Sequence, residues 1–195
     1  MREYLLHALV IAFVLISMPV ILSAEEPSHI FLRSSYSDLT VPQVQSMSNI
    51  SIREKNDWVF YGHSTISHRY ELKEINGDKV VIDHTTGLMW HQPGSEENIE
   101  WDNAKKWVRE LNSRGYSGYR DWRLPTVEEG ASLLEPEEKD GGLYIDSIFS
   151  NKQEWVWTGD ENGSEGAWGV YFGNGLVFWV NFSSEFYVRP VRSSK

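Results

Sequence analysis

Few side-chain groupings in this 195-residue chain have the types and spacing to do chemistry. His63, His68 and Glu71 are metal-ligand types, but His-x4-His is no neighbour spacing of a helix or strand. Solvated or locally bonded histidines are the expectation there. Asp160-Glu161-Asn162-Gly163-Ser164-Glu165 sets oxygen ligands at alternate positions, as a calcium loop does. An EF-hand-type loop needs Gly at its sixth position and Glu at its twelfth; Glu165 and Tyr171 stand there instead. Calcium is therefore possible but has no complete motif, and a polar hairpin loop is the expected structure. His84 and His91 flank Trp90 without belonging to an acid–base set. Glu128-Glu129 and Glu137-Glu138 are adjacent pairs, and adjacent helical residues do not face each other. No Gly-x-Ser-x-Gly elbow or phosphate loop occurs. The absence of cysteine removes thiol nucleophiles, disulfides and Cys-ligated metals. With no nucleophile, base or metal set to assemble, the expectation is a protein that is not an enzyme and needs no cofactor.

Binding is the alternative, and aromatic residues would carry it. The chain has nine Trp, nine Tyr and eight Phe. Side chains alternate along a strand. Trp168, Val170 and Phe172 share one face of a strand, and Leu176, Phe178, Val180 and Phe182 share one face of the next; these sets are the expected core, with Trp155 and Trp157. Tyr171, Trp179 and Asn181 fall on the opposite faces, and Asn174 lies in the Gly173-Asn174-Gly175 turn between the strands. These four are the candidate ligand-binding residues. Flat apolar rings beside hydrogen-bonding edges suit a sugar or a protein. The competing reading is a second small core under the loop 159–166.

Charge narrows the partners. At a net charge of −10 and without a basic stripe, the chain is a poor match for nucleic acid and for anionic lipid. Its first residues read as a secretory signal peptide, residues 1–24: Arg2, an apolar run from Tyr4 to Leu22, then the small Ser23-Ala24. The alternative is an uncleaved anchor helix, since the run approaches the ~20 residues that span a bilayer. An exported protein, periplasmic or extracellular, is expected, with no stable membrane insertion once the signal is removed. The remaining chain suffices for one domain.

The elements that must position these residues fall in an order. Residues 25–72 read as a lead-in arm, partly docked, with a short helix from N-cap Thr40 to about Met47 and a strand over 67–72. Lys79 to Asp83 is β-branched and predicts a strand. Ile99 to Leu111 carries a helical stripe of Trp101, Ala104, Val108 and Leu111, with Gly115 past its end. Thr126-Val127-Glu128-Glu129 is a capping-box sequence opening a second helix to about Leu134. Four strands are expected at 154–158, 167–172, 176–182 and 186–191. Strand, helix, helix, then short strands is an α+β pattern, with the main domain over 73–195.

Three of these stretches carry a family resemblance. Asp83-His84-Thr85-Thr86-Gly87-Leu88-Met89-Trp90, Gly118-Tyr119-Arg120-Asp121-Trp122-Arg123-Leu124-Pro125-Thr126 and Tyr187-Val188-Arg189-Pro190-Val191-Arg192 resemble, in order, the motifs of the bacterial Lcl C-terminal domain family. Phe31-Leu32-Arg33-Ser34-Ser35-Tyr36 is similar to a lead-in of some members. The resemblance implies a C-type-lectin-like fold: terminal strands paired, two flanking helices, and a second short-stranded sheet on the ligand side. It implies an exported binding module for a glycan or protein. Alternatives are an enzyme distantly similar to the formylglycine-generating branch, whose catalytic cysteines this chain lacks, or a structural subunit of an envelope assembly. Gln92-Pro93-Gly94 and Trp179-Val180-Asn181 depart from the calcium-lectin motifs. Asp121, Arg123, Arg189 and Arg192 within the motifs read as structural charge pairs in preference to an anion site.

Overall fold

The computed structural model describes residues 29–194, so the expected signal segment lies outside the described residues. In chain order the elements are α1 (Val41–Val44), β1 (Ile50–Lys55), β2 (Phe60–Ser64), β3 (Tyr70–Ile75), β4 (Asp78–Asp83), β5 (Leu88–His91), β6 (Ile99–Glu100), α2 (Trp101–Arg114), α3 (Val127–Ser132), β7 (Trp155–Asn162), β8 (Gly166–Tyr171), β9 (Leu176–Asn181), β10 (Glu185–Phe186) and β11 (Val191–Ser193). This is an α+β fold. One antiparallel sheet runs β1-β2-β9-β8-β7, another runs β11-β5-β4-β3, and β10 pairs with β6. No helix among the described residues is long and apolar enough to cross a membrane.

Local sequence explains the helices. The stripe of α2 is buried as its period requires, and Gly115 ends the helix in the left-handed region at φ 70°. At α3 the capping box forms: Thr126 Oγ1 accepts from the Glu129 amide, and the Glu129 carboxylate accepts from the Thr126 amide. Thr126 Oγ1 also donates to the Arg33 carbonyl, tying the lead-in to this helix. Thr126→Ala is expected to cost about 1–2 kcal/mol in urea unfolding. A loss within error of zero would show that the cap does not matter.

The lead-in is more than a docked arm. Strand β2 pairs with β9 through Phe60↔Val177 and Tyr61↔Leu176, so β1 and β2 are two of five strands in the larger sheet. The expected boundary between residues 72 and 73 falls inside β3. The polar Arg53-Glu54-Lys55 ending and the exposed outer edge hid β1 from pattern reading. Residues 186–191 do not make one strand: β10 ends at Phe186 and β11 starts at Val191, after Pro190, which has no amide to donate. The expected loop 159–166 is mostly strand, because β7 runs to Asn162 across a bulge between Trp157 and Glu161.

Register divides the core in two. Trp168 opposes Trp179 and Val170 opposes Val177, so these four share a face. Gly169↔Phe178 and Ala167↔Val180 lie on the other. The first face packs on Phe60, Val81, Trp90, Val127, Ala131 and Phe149. The second meets α2 through Trp101 and Val108, together with Val80 and Met89. The two residue sets expected to make one core therefore serve opposite faces, and Val177 is fully buried although its strand face was expected to point outward.

Candidate functional site

The four candidate ligand residues do not converge. Tyr171, three residues beyond Trp168 on β8, faces the opposite side of the sheet from Trp179. Tyr171 stacks flat on Trp155 with ring centroids 3.6 Å apart, and Trp155 stacks in turn near Phe186 at 5.6 Å. Gly173 has no side chain because the Tyr171 ring covers it: a Cβ there would lie 2.3 Å from the Tyr171 hydroxyl. The Asn174 carbonyl accepts from Arg53, which pins the turn to β1. Asn181 is exposed and spends its Oδ1 on the amide and hydroxyl of Ser183. Trp179 is half-buried against the first core, with Trp58 beside it at 6.1 Å. Sequence reasoning passed over Trp58, which is 64 % exposed at the tip between β1 and β2.

The polar candidates have local partners. His68 bonds Asp83 and the Ser132 carbonyl, each at 2.7 Å, and His84 bonds Glu71 at 2.8 Å. Asp160 receives both terminal nitrogens of Arg33. Among the described residues no group of three or more His, Asp or Glu could hold a metal ion.

The motif arginines act as structural ties. Val191 pairs with Trp90 of the first motif and exchanges both backbone hydrogen bonds with Arg123 of the second, so the three motifs meet at one residue. Arg123 clamps the buried Glu129 with two bonds of 2.6 Å. Arg192 holds Asp121 at 2.7 Å and lies over the Tyr119 ring. In the first motif, Asp83 collects the Thr85 amide, the Thr86 hydroxyl and His68. Burial works against its charge, but the bonds from His68, Thr86 and Thr85 outweigh that and hold its pKa below the ordinary value. Arg189 differs, for among the described residues no carboxylate bonds it. Fully buried, it donates to the carbonyls of His91, Gln92 and Ser150 and to Gln153 Oε1. Burial pushes its pKa down to about 9.

Arg189 backs a cleft of about 750 Å³ between the end of β5, the stretch of α2 from Trp107 to Arg114, and the segment 150–153. Its floor is His91, 4 % exposed, at the C-terminal end of β5. The Tyr116 ring lies 4.3 Å from His91, and Trp107 meets it edge-on at 5.6 Å. Gly94 makes the tight turn that brings its own amide onto His91 Nδ1 at 3.0 Å. A Cβ at Gly94 would strike Gln153 at 2.7 Å, so the opposite wall depends on that glycine. The amide bond fixes the tautomer: Nδ1 accepts, and the ring hydrogen sits on Nε2. Burial, then the charges of Arg189 and Arg114, push the His91 pKa down to about 3, so the ring is neutral at ordinary pH. The Ser95 hydroxyl is bonded to the Glu97 carbonyl and the Val188 amide. That leaves the cleft aromatic walls and a neutral donor in its floor.

Residues 79–192 match the model of the Lcl C-terminal domain. The chain belongs to the Lcl C-terminal domain family. That match spans all three motifs that meet at Val191 and the cleft residues His91, Gly94, Ser95, Trp107, Tyr116 and Gln153. No curated protein matches the chain significantly. His91 and Trp107 were legible as a histidine beside Trp90 and as the edge of a helical stripe, but nothing in their spacing signalled that Tyr116 and Gln153 would close around them.

Proposed function

We propose that this member of the family is an exported, non-catalytic binding module of C-type-lectin-like fold, and that the cleft over His91 is its ligand site. The fold reading is supported by the closing strand β11 pairing with the early strand β5, by the two helices α2 and α3, and by the separate sheet containing β7, β8 and β9. Export is supported by the signal-like residues 1–24. The observation that carries the binding reading is the cleft's chemistry: aromatic walls around a buried, neutral imidazole donor. A general base needs a pKa near working pH, and His91 is far below that. The hairpin site expected from the sequence gives way to this cleft because its residues lie on two faces of the sheet.

Glycan-array and pull-down screens of the wild type, Trp107→Ala and Trp179→Ala test the assignment. Hits should weaken at least about tenfold in Trp107→Ala, as loss of one buried aromatic contact predicts, and persist in Trp179→Ala. The reverse pattern would return the site to the hairpin, and hits indifferent to both would exclude either location.

A further inference from the structure

We infer that the cleft over His91 is a subsite for a neutral hydroxylated ring, the pyranose unit of a saccharide, held against its aromatic wall with His91 Nε2–H donating to a ring or hydroxyl oxygen. This rests on the reading of the cleft as the ligand site and adds the class of ligand. His91 carries the argument. It is buried and lines the cleft. Its Nδ1 is taken by the Gly94 amide. Its Nε2–H has no partner among the described residues, so an oxygen entering the cleft would satisfy a donor that the fold leaves open. Because the ring is neutral, it presents the same single donor across the ordinary pH range and attracts no anion by charge.

The walls supply the second half of the chemistry. Trp107 and Tyr116 are half-buried, line the opening, and pack their rings on the His91 ring. The Tyr116 hydroxyl donates to the Lys79 carbonyl, which holds that ring in place before any ligand arrives. A flat apolar wall beside a fixed donor is complementary to a pyranose, whose axial C–H face is apolar and whose edge is rich in oxygen.

The rim argues against a charged ligand. It carries Asp78, Glu96 and Glu97 on the acidic side and Arg114 and Lys152 on the basic side. None of these five is in a salt bridge among the described residues; one oxygen of Asp78 accepts from the Ser117 amide. An anion would meet three carboxylates, and a cation would meet Arg114 and Lys152 with Arg189 behind Gln153. A ring of hydroxyls, each both donor and acceptor, finds partners of both kinds.

The test uses the whole mature chain and three sets of probes: neutral methyl glycosides of glucose, mannose, galactose and N-acetylglucosamine with their short oligomers, glucuronate, and lysine. Saturation-transfer NMR and tryptophan fluorescence report binding. The expected result is a neutral probe whose affinity holds from low to high salt and falls at least about tenfold in Trp107→Ala. Should that variant fail to fold, shifts of the His91 and Trp107 ring signals in the wild type locate the probe instead. Binding of only glucuronate or lysine, weakened by salt and by Trp107→Ala, would overturn the ligand class while leaving the cleft as the site. Neutral probes that bind but spare Trp107 and move Trp179 would overturn both. No binding by any probe would overturn the inference, and the array and pull-down screens would then decide on the cleft alone.

Discussion

Arg33→Ala is expected to destabilise the protein by about 3 kcal/mol, the scale seen when one partner of a buried pair is removed. The Asp160 carboxylate is fully buried and collects four donors: two guanidinium nitrogens of Arg33 at 2.8 and 2.7 Å, the Ser37 amide at 2.8 Å and the Val127 amide at 2.6 Å. Removing Arg33 leaves a buried negative charge on two amides. The Arg33 side chain is 27 % exposed, so water can reach part of the vacated space, which places the expected loss at the lower end of the range. The segment carrying Arg33 also bonds α3, through its amide to Glu128 and its carbonyl to Thr126, so its detachment would loosen the cap of that helix. Thermal unfolding should drop by roughly 2–4 °C per kcal/mol in a chain of this size. Urea unfolding of Arg33→Ala, Asp160→Asn and the double variant measures the coupling. A single-variant loss below about 1 kcal/mol, or simple additivity, would mean that the pair contributes nothing beyond a surface bridge.

Acid should weaken the fold well above the range in which carboxylates titrate, and His91 should be the cause. In the unfolded chain an ordinary imidazole protonates near 6.5, whereas in the fold burial and then Arg189 and Arg114 lower this to about 3. Between those values the unfolded chain binds a proton that the native protein does not. Stability therefore falls as pH drops through 6.5 and goes on falling until about 3, where both states are protonated. The full window corresponds to a loss on the order of 5 kcal/mol. Asp83 and Asp121, held below their ordinary value of 3.8, add their own losses only further down, as pH falls through about 4. The upper part of the window thus lies above these carboxylate losses. His91→Gln keeps an acceptor for the Gly94 amide and a donor for the cleft but cannot titrate. Denaturation midpoints against pH should be flatter for this variant between 6.5 and 4.5. Parallel curves for the two proteins would assign the acid sensitivity elsewhere.

The cleft and the Arg33–Asp160 pair differ in how much of them could be read beforehand. In the sequence Asp160 is one of several alternating oxygen ligands, a pattern that predicts a polar hairpin loop with an incomplete calcium motif. In the fold it lies in β7, where an arginine 127 positions away bonds both oxygens of its carboxylate. Pairing at that separation leaves no local signature. His91 was noticed beside Trp90 but matched no acid–base set. The fold gives it a place as a neutral donor, through an amide three residues on and two rings from α2 and the turn that follows it.

The sequence by itself determined the elements whose causes are local. The stripe and terminal glycine of α2, the capping box of α3 and the hairpin around Asn174 all form as their residues dictate, since each depends on neighbours within about four positions. The family motifs were legible because the chain keeps whole blocks together: Asp83 to Trp90, Gly118 to Thr126 and Tyr187 to Arg192. Tertiary structure alone decided where those blocks meet, at Val191, and which strand lies beside which. Alternation along a strand says which residues share a face but not which face a neighbour shares with them. That depends on register, and register placed Tyr171 and Trp179 on opposite sides of one sheet. The same long-range pairing drew β1 and β2 into the sheet and folded four separate segments around His91, which is why the site had to be found in space and not along the chain.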